Sequence, residues 1–381
     1  MQVITAFWVG GAEEVAVSLA VGLRQRGHDS CVVAVKTPKI ANRVGDDQKK
    51  RLSGASVEFL EIGGSHVRLN SLTAPFRLAS FCRAWNPDIV HSHTDIPDFI
   101  LSLAGRVTDI TPARTIHNTT LWPTHRLMGW VSESNFRDDL IVHISDGARD
   151  AYKKLRQGYG LPESRIQVKI PNGIRKISEK ECFDRPALVG EFGADAEKIL
   201  FCFAGRFMPQ KGFDILLDAF ERLPEEMLEK FELHAFGDGE EKSACADRAA
   251  ERRLPVFFHP PVPGIGRLFP AFDAVIMPSR FEGHSLVALE SLAAGVPVIG
   301  TSAPGLKDTL PPEWPLKVPV ENATALGNLI ADFVNGAFDK GQLREIAARW
   351  GENFTVDKMV EAYGTAYINY LSLKKRLTKR E

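Results

Sequence analysis

A chain of 381 residues is long enough for two domains of ordinary size, each burying its own core. With 44% hydrophobic residues, 25% charged residues and a formal net charge of −1, it lacks the basic excess of a nucleic-acid binder. No apolar run reaches the ~18 residues of a membrane span, and no charged-then-apolar leader opens the chain.

The five cysteines (Cys31, Cys82, Cys182, Cys202 and Cys245) are scattered and form no C-x-x-C pair. They read as reduced core residues of a cytoplasmic protein rather than metal ligands. The first half alternates strand-like and helix-like segments, the signature of an open parallel sheet. Residues 1–6 predict a short first strand, and Gly10-Gly11 a tight loop. A helix follows over residues 12–26, with Val15, Leu19 and Leu23 on one face and Gly27 as its stop. Strands are expected at 31–35, 57–62, 88–93, 114–117, 140–145 and 167–170, with helices at 72–85, 96–104, 122–136 and 147–155. Pro171-Asn172-Gly173 is a turn signal.

From residue 174 to 198 the pattern dissolves into a charged stretch containing Pro186, which reads as a linker. A second alternating series starts at residue 199, with strands at 199–204, 231–236, 256–259, 274–278, 296–300 and 316–320. The last ~60 residues read as helical, at 323–334, 343–350 and 356–373. The expectation is an α/β chain of two Rossmann-like parallel-sheet domains facing a central cleft at the carboxyl ends of both sheets, where small ligands bind.

The stretch from Phe281 to Glu290 carries the strongest functional signal. Glu282 sits on a strand-to-helix loop and Glu290 inside the helix that follows, in an otherwise apolar run where an unpaired charge is costly. Gly283 and His284 lie between, Ser285 caps the helix, and the amides near Leu286 and Val287 form an anion site. One carboxylate beside an anion and another beyond it suit a nucleotide sugar, whose hydroxyls flank a phosphate; solvated charges on a surface helix are the plainer reading. Gly205-Arg206-Phe207-Met208-Pro209-Gln210-Lys211-Gly212 closes the first strand of the second half. Arg206 and Lys211, bracketed by glycines at a strand end, can neutralise a diphosphate leaving group without a divalent metal.

Gly10-Gly11-Ala12-Glu13 falls short of the dinucleotide G-x-G-x-x-G pattern, yet opens a helix and suits close approach of a phosphate or sugar. The turn Gly237-Asp238-Gly239 reads as structural. His117, His91 and His93 end strands. A lone histidine is usually structural, but His117 and His93, with Asp95 nearby, are also placed to hydrogen-bond sugar hydroxyls. No G-x-S-x-G elbow and no H-E-x-x-H spacing occurs. The basic tail Lys374-Lys375-Arg376 with Lys379-Arg380, and the aromatic segment around Trp122, Leu127, Met128, Trp130 and Val131, suit contact with an anionic membrane surface. A solvated terminus and ordinary packing account for them equally.

Taken together, these motifs resemble the retaining glycosyltransferases of family four, which have the GT-B fold, over nearly the whole chain. Gly10 to Glu13 is similar to that family's N-terminal glycine loop, Arg206 with Lys211 to its phosphate-binding pair, Glu282 to Glu290 to its E-x7-E signature, and Pro171 to Gly173 to its interdomain turn. The resemblance implies an acceptor-binding domain over 1–178, a nucleotide-sugar domain over 179–352, and a final helix over 353–381 that crosses back to the first domain. It implies Glu282, His117, Arg206 and Lys211 as catalytic residues. Gly11, Arg206, Lys211, Gly283, His284, Ser285, Leu286, Val287 and Glu290 would hold the donor, Glu290 on the ribose. Gly10, His93 and Asp95 would lie toward the acceptor.

Implied too are a metal-independent same-face transfer with no cofactor, a UDP-sugar donor and a glycan or lipid-linked acceptor. Cell-envelope polysaccharide or lipopolysaccharide synthesis at the inner face of the membrane follows as the setting. Two departures stand out: His284-Ser285 occupies the place where Phe-Gly is frequent, and the first strand is unusually short. A nucleotide-sugar-binding partner that does not transfer, and an epimerase or phosphorylase of the same architecture, are the competing readings.

Overall fold

The computed structural model describes residues 1–38, 42–63 and 67–378, so Lys379 and Arg380 lie outside the described residues. The chain forms two compact units, one made of Met1–Gly173 with Val356–Glu381, the other of Ile174–Thr355.

In the first unit the order is β1 (Gln2–Ile4), α1 (Gly11–Gln25), β2 (Cys31–Ala34), α2 (Arg43–Gly54), β3 (Glu58–Glu61), α3 (Val67–Trp85), β4 (Val90–His93), α4 (Asp95–Ala104), β5 (Pro112–Ile116), α5 (Arg126–Asn135), β6 (Leu140–His143), α6 (Asp146–Gly158) and β7 (Gln167–Lys169). The strands pair in the order β3-β2-β1-β4-β5-β6-β7, and every pairing is parallel. The sheet has helices on both faces, which is why β2 and β6 are buried along their whole length and read as unbroken apolar runs.

Three helices of this unit differ from expectation by four residues or more, and one of them, α3, starts five residues early at Val67. α2 escapes the periodicity because its run Asp46 to Arg51 is polar and only Gly45, Gln48 and Leu52 are buried; the Asn42 side chain caps it by accepting from the Gly45 amide. α5 begins at Arg126, four residues later than the pattern predicts. Trp122 precedes Pro123, whose ring disfavours helical backbone there, and it sits instead at φ +50° in a loop.

The second unit runs α7 (Arg185–Phe192), β8 (Ile199–Ala204), α8 (Phe213–Phe220), α9 (Glu225–Leu228), β9 (Phe231–Phe236), α10 (Lys242–Glu251), β10 (Val256–His259), β11 (Ala274–Met277), α11 (Leu286–Ala293), β12 (Val298–Thr301), α12 (Leu306–Thr309), β13 (Lys317–Val318), α13 (Ala323–Val334) and α14 (Lys340–Gly351). Its parallel sheet has the order β10-β9-β8-β11-β12-β13. Its core is strongly aromatic: Phe203, Phe207 and Phe213 pack with ring centroids 4.8 to 5.4 Å apart. Each such ring stabilises the unit by roughly 1.5–3 kcal/mol through burial alone.

The stretch read as a linker contains α7. Asp184 caps it by accepting from the Ala187 amide, Pro186 sits in its first turn, and Gly193 ends it in the left-handed region at φ +71°. Only Leu188 is buried on it, too little to leave a helical stripe.

α15 (Val356–Thr378) belongs to the first unit and lies against α1. Gly22 of α1 permits this, since a Cβ there would come within 2.5 Å of Val360 Cγ2. Tyr363 and Tyr370 are buried, and the Tyr370 hydroxyl donates to the Pro112 carbonyl at 3.0 Å.

Candidate functional site

In an open parallel sheet, the loops that leave the carboxyl ends of the strands diverge where the strand order reverses, and a ligand crevice forms there. The reversal lies between β8 and β11 in the second unit and between β1 and β4 in the first. The sequence motifs sit on these loops.

In the second unit, the loop after β8 and the loop after β11 are locked together. The Lys211 ammonium donates to Glu282 Oε1 at 2.7 Å, and the Ser279 hydroxyl donates to the same oxygen at 2.8 Å. Glu282 is buried, 5% exposed, and the Thr301 hydroxyl in turn holds the Ser279 carbonyl at 2.5 Å. Backbone and side chain bonds add to the lock: the Arg280 amide donates to the Gln210 carbonyl at 2.8 Å, and Gln210 Nε2 to the Phe281 carbonyl at 3.0 Å. The Arg280 guanidinium grips Asp214 through both oxygens at 2.9 and 2.8 Å and reaches the Pro209 carbonyl at 2.6 Å. That bond holds the Asp214 carboxyl below its ordinary range and pushes the guanidinium further up.

Glycine is required where these loops touch. Gly212 has φ +65°, and a Cβ there would stand 2.1 Å from the Pro278 carbonyl. Gly305 has φ +77°, and a Cβ there would stand 2.1 Å from the Glu282 carbonyl; the Glu282 amide donates to Pro304 at 2.9 Å. The Gly237-Asp238-Gly239 turn is a brace, as read: the Asp238 carbonyl accepts from Phe207, and a Cβ on Gly237 would strike the Gly205 carbonyl.

Arg206 is exposed and makes no ion pair or hydrogen bond among the described residues, so its guanidinium is available to an incoming anion. Gly283, His284 and Ser285 are buried, and the His284 ring lies 5.3 Å from that of Phe354. Ser285 caps α11, its hydroxyl accepting from the Ala288 amide at 3.4 Å while its own amide donates to the Thr309 hydroxyl at 3.2 Å. The amides of Leu286 and Val287, in the first turn, have no carbonyl of their own helix to bond. Glu290 is half-buried one turn further on, facing Gly266: a Cβ there would meet its Oε2 at 3.2 Å and Ile177 Cδ1 at 3.0 Å.

In the first unit, Gly10 and Gly11 open α1, with Gly10 as its cap in extended backbone and Gly11 exposed. A Cβ on Gly10 would collide with Glu13 Oε2. His93 and Asp95 bracket the junction of β4 and α4. Between them Thr94 has φ +81°, a strained conformation for a threonine, of the sort that clusters at functional sites. Asp95 Oδ2 accepts from the Trp122 amide at 2.9 Å and so fastens the loop after His117; burial pushes its carboxyl up to about 6.

His93 is buried, its Nε2 is 2.9 Å from Gln2 Oε1 and its Nδ1 2.8 Å from His117 Nε2. His91 stacks on His93 at 4.6 Å and bonds to Tyr367 at 2.5 Å and Thr115 at 2.7 Å. Burial holds all three imidazoles neutral, His117 down to about 3.

The structure therefore gathers Arg206, Lys211, Glu282, Gly283 to Val287 and Glu290 around one switch point, and Gly10, Gly11, His93, Asp95 and His117 on the carboxyl side of the other sheet. Ser279, Arg280, Gly266, Gly305 and Gln2 support these residues and were not singled out by sequence reasoning. Only the glycines left a signal, as isolated breaks in otherwise patterned segments.

Residues 9–176 match the family described as Glycosyltransferase Family 4, and residues 184–355 match the one described as Glycosyl transferases group 1. A D-inositol 3-phosphate glycosyltransferase of Xylanimonas cellulosilytica is 28% identical over 311 residues, 73% of this chain and 72% of that protein. Its counterpart in Mycobacteroides abscessus is 30% identical over 242 residues, 61% of this chain and 53% of that protein. The chain thus spans between about half and seven-tenths of the length of these two relatives. Among solved structures, HepE of Anabaena in complex with UDP-glucose superposes with a TM-score of 0.79 at 18% identity, over 98% of this chain and 99% of that one. WaaG, described as a glycosyltransferase involved in lipopolysaccharide biosynthesis, gives 0.70 at 14% identity, over 97% and 99%. Matched half by half along nearly its whole length, the chain is a glycosyltransferase of the GT-B type.

Proposed function

We propose that the second unit binds a UDP-sugar and that the enzyme transfers the sugar, with retention of anomeric configuration, to a glycan or lipid-linked acceptor. The observation that carries this reading is the junction of the two loops at the β8/β11 switch point. It fixes the Lys211 ammonium on the buried Glu282 carboxylate while Arg206 stays exposed and α11 presents free amides. Arg206, Lys211 and the amides of Leu286 and Val287 take the diphosphate, whose charge draws Lys211 toward phosphate oxygens. Glu290 takes the ribose hydroxyls, and Gly266 leaves room beside it. Glu282, with Gly283 and His284, lies at the sugar end. Uracil as the base is supported by the relation to HepE, which is crystallised with UDP-glucose.

The bond from the anomeric carbon to the phosphate oxygen breaks on the same face on which the acceptor oxygen bonds, and the acceptor's proton passes to the leaving diphosphate. No protein nucleophile is needed. The two cations offset the charge that develops on the leaving group, so the reaction requires neither metal nor cofactor. In the first unit, Gly10, Gly11, Asp95 and His117 serve the acceptor and the sugar hydroxyls, while His93, expected there from the sequence, has both ring nitrogens engaged by Gln2 and His117 and supports His117 instead. Leu127 and Trp130, exposed one turn apart on α5, together with Lys374 to Arg376, provide contact with an anionic membrane surface in cell-envelope synthesis. No described helix is long and apolar enough to cross a membrane.

The test has two steps. Thermal-shift screening against UDP, GDP and ADP, then their sugars, should single out UDP and a UDP-sugar. Acceptor-dependent UDP release should then fall at least a hundredfold in Lys211→Ala and Glu290→Ala. Unchanged rates in both variants, or donor binding without turnover across an acceptor panel, would reject the assignment.

A further inference from the structure

A recess of about 610 Å³ opens at the amino ends of β1 to β4, on the opposite edge of the first sheet from Gly10, His93 and His117. Every residue around it belongs to the first unit. Its size falls within the range of about 300–1,000 Å³ that small-molecule clefts occupy.

Gly364 lies in the interior of α15 and lines this recess. Glycine is the poorest interior helix residue after proline, so its place there wants a reason. Gly22 of α1 has one in its close contact with Val360, but a Cβ on Gly364 would meet nothing within 4 Å. The glycine weakens the helix and leaves room, and the room it leaves is the recess.

Trp85, the last residue of α3, forms another part of the wall. Its ring packs against the core of the first unit, and its Nε1 donates to Glu58 Oε2 at 3.3 Å. The indole is thereby fixed as a flat apolar surface. Asn86 and Ser30 beside it both donate and accept hydrogen bonds. Ser30 is 6% exposed, and its hydroxyl has no partner among the described residues. The charges disfavour an anion: Arg24 is balanced by Asp29 at 2.6 Å, so Glu58 and Asp88 leave the lining side chains net negative. They do not make a cation cage either, since Asp29 and Glu58 already have donors.

We infer that this recess binds an uncharged sugar, its apolar C–H face on the Trp85 indole and its hydroxyls on Ser30, Asn86 and the carboxylates. The inference is independent of the transferase reading, because no residue of the candidate site lines the recess. The inner wall includes Tyr367, whose hydroxyl is 2.5 Å from His91 Nδ1, so the buried His91 ring reports whether the recess is filled.

The test is calorimetry and histidine-selective 15N NMR on the full chain with methyl glucoside, methyl galactoside, methyl mannoside, lactose and maltose. At least one should bind with a Kd of about 10 mM or tighter and shift the His91 signals. Gly364→Leu fills the recess with a better helix former, so it should melt no lower than wild type and weaken that sugar at least tenfold. Trp85→Ala should weaken it as much; should that variant fail to fold, Gly364→Leu decides alone. Saturating UDP should leave the affinity within twofold, and a phosphate ester of the same sugar should bind at least fivefold more weakly. No binding by any of the five, full affinity in Gly364→Leu, competition by UDP, or tighter binding of spermidine at the same place would overturn the inference.

Discussion

Replacing Arg114 by methionine should destabilise the first unit severely, and the size of the effect follows from its surroundings. Arg114 is on β5, fully buried, its guanidinium 4.1 Å above the Phe136 ring. It donates to Asp139 at 2.7 Å and to Glu133 at 2.8 Å, and Arg156 reaches Glu133 at 3.0 Å. Two arginines thus balance two carboxylates. A third carboxyl, Asp98, lies 3.8 Å from Arg114 and is pushed well up by burial, against the pull of Arg114 and the Ser92 hydroxyl.

Methionine keeps most of the volume but strips Asp139 of the cation beside it, while Glu133 keeps Arg156. Breaking one side of a buried pair costs about 3–5 kcal/mol. For a unit of this size that lowers the melting temperature by roughly 6–20 °C. Calorimetric melts should show the drop, and Arg114→Met with Asp139→Asn should recover about half of it, because the stranded charge is gone. A single variant within 1 kcal/mol of wild type, or a double variant no better than the single, would refute the charge-balance argument. The cluster matters for the site because Asp98, which accepts from Ser92 of β4 at 2.5 Å, lies 3.8 Å from Arg114 of β5, and His93 and His117 stand at the ends of those two strands.

Three further outcomes are expected. Gly305→Ala places a Cβ against the Glu282 carbonyl at φ +77° and should weaken UDP binding tenfold or more by calorimetry; undiminished affinity would mean that the 304–305 turn does not set Glu282. Asp214→Asn removes one charge of the Arg280 grip, a half-exposed pair worth at most about 1 kcal/mol to stability, and should show mainly as a few-fold loss of kcat/KM; a normal value would show that the Lys211 loop holds its shape unaided.

Asp95 has a folded pKa of about 6, above its unfolded value near 3.8, owing first to burial and against the pull of the Trp122 amide. Its contribution to stability is therefore full below pH ~4 and is lost as pH rises through about 6. Asp95→Asn should flatten the melting temperature between pH 4 and 7, and a slope unchanged from wild type would rule out this assignment.

Parallel sheets covered on both faces produce continuous apolar runs, and that is why β2, β8, β9 and β11 could be read to within a residue at each end. α2 and α7 could not: each buries three residues or fewer, and their caps, Asn42 and Asp184, are indistinguishable from ordinary loop residues without the chain around them. The motif glycines and charges were legible because loops at strand ends concentrate them. What was not legible is long-range. Ser279 on Glu282, Arg280 on Asp214, and Tyr367 on His91 are separated by 3, 66 and 276 positions, and only the first is near enough in sequence to suggest itself. The reading of α5 as starting at Trp122 failed for a local reason that was visible all along, the proline that follows.

The return of α15 to the first unit sets an order on the birth of the protein. By the time Gly173 leaves the ribosome, the groove at Gly22 and the hydroxyl that anchors His91 still await residues roughly 180 positions downstream, a delay of roughly 10 to 40 s at typical translation rates. The second unit, uninterrupted in sequence, has everything it needs before then, so the nascent chain completes its later half first.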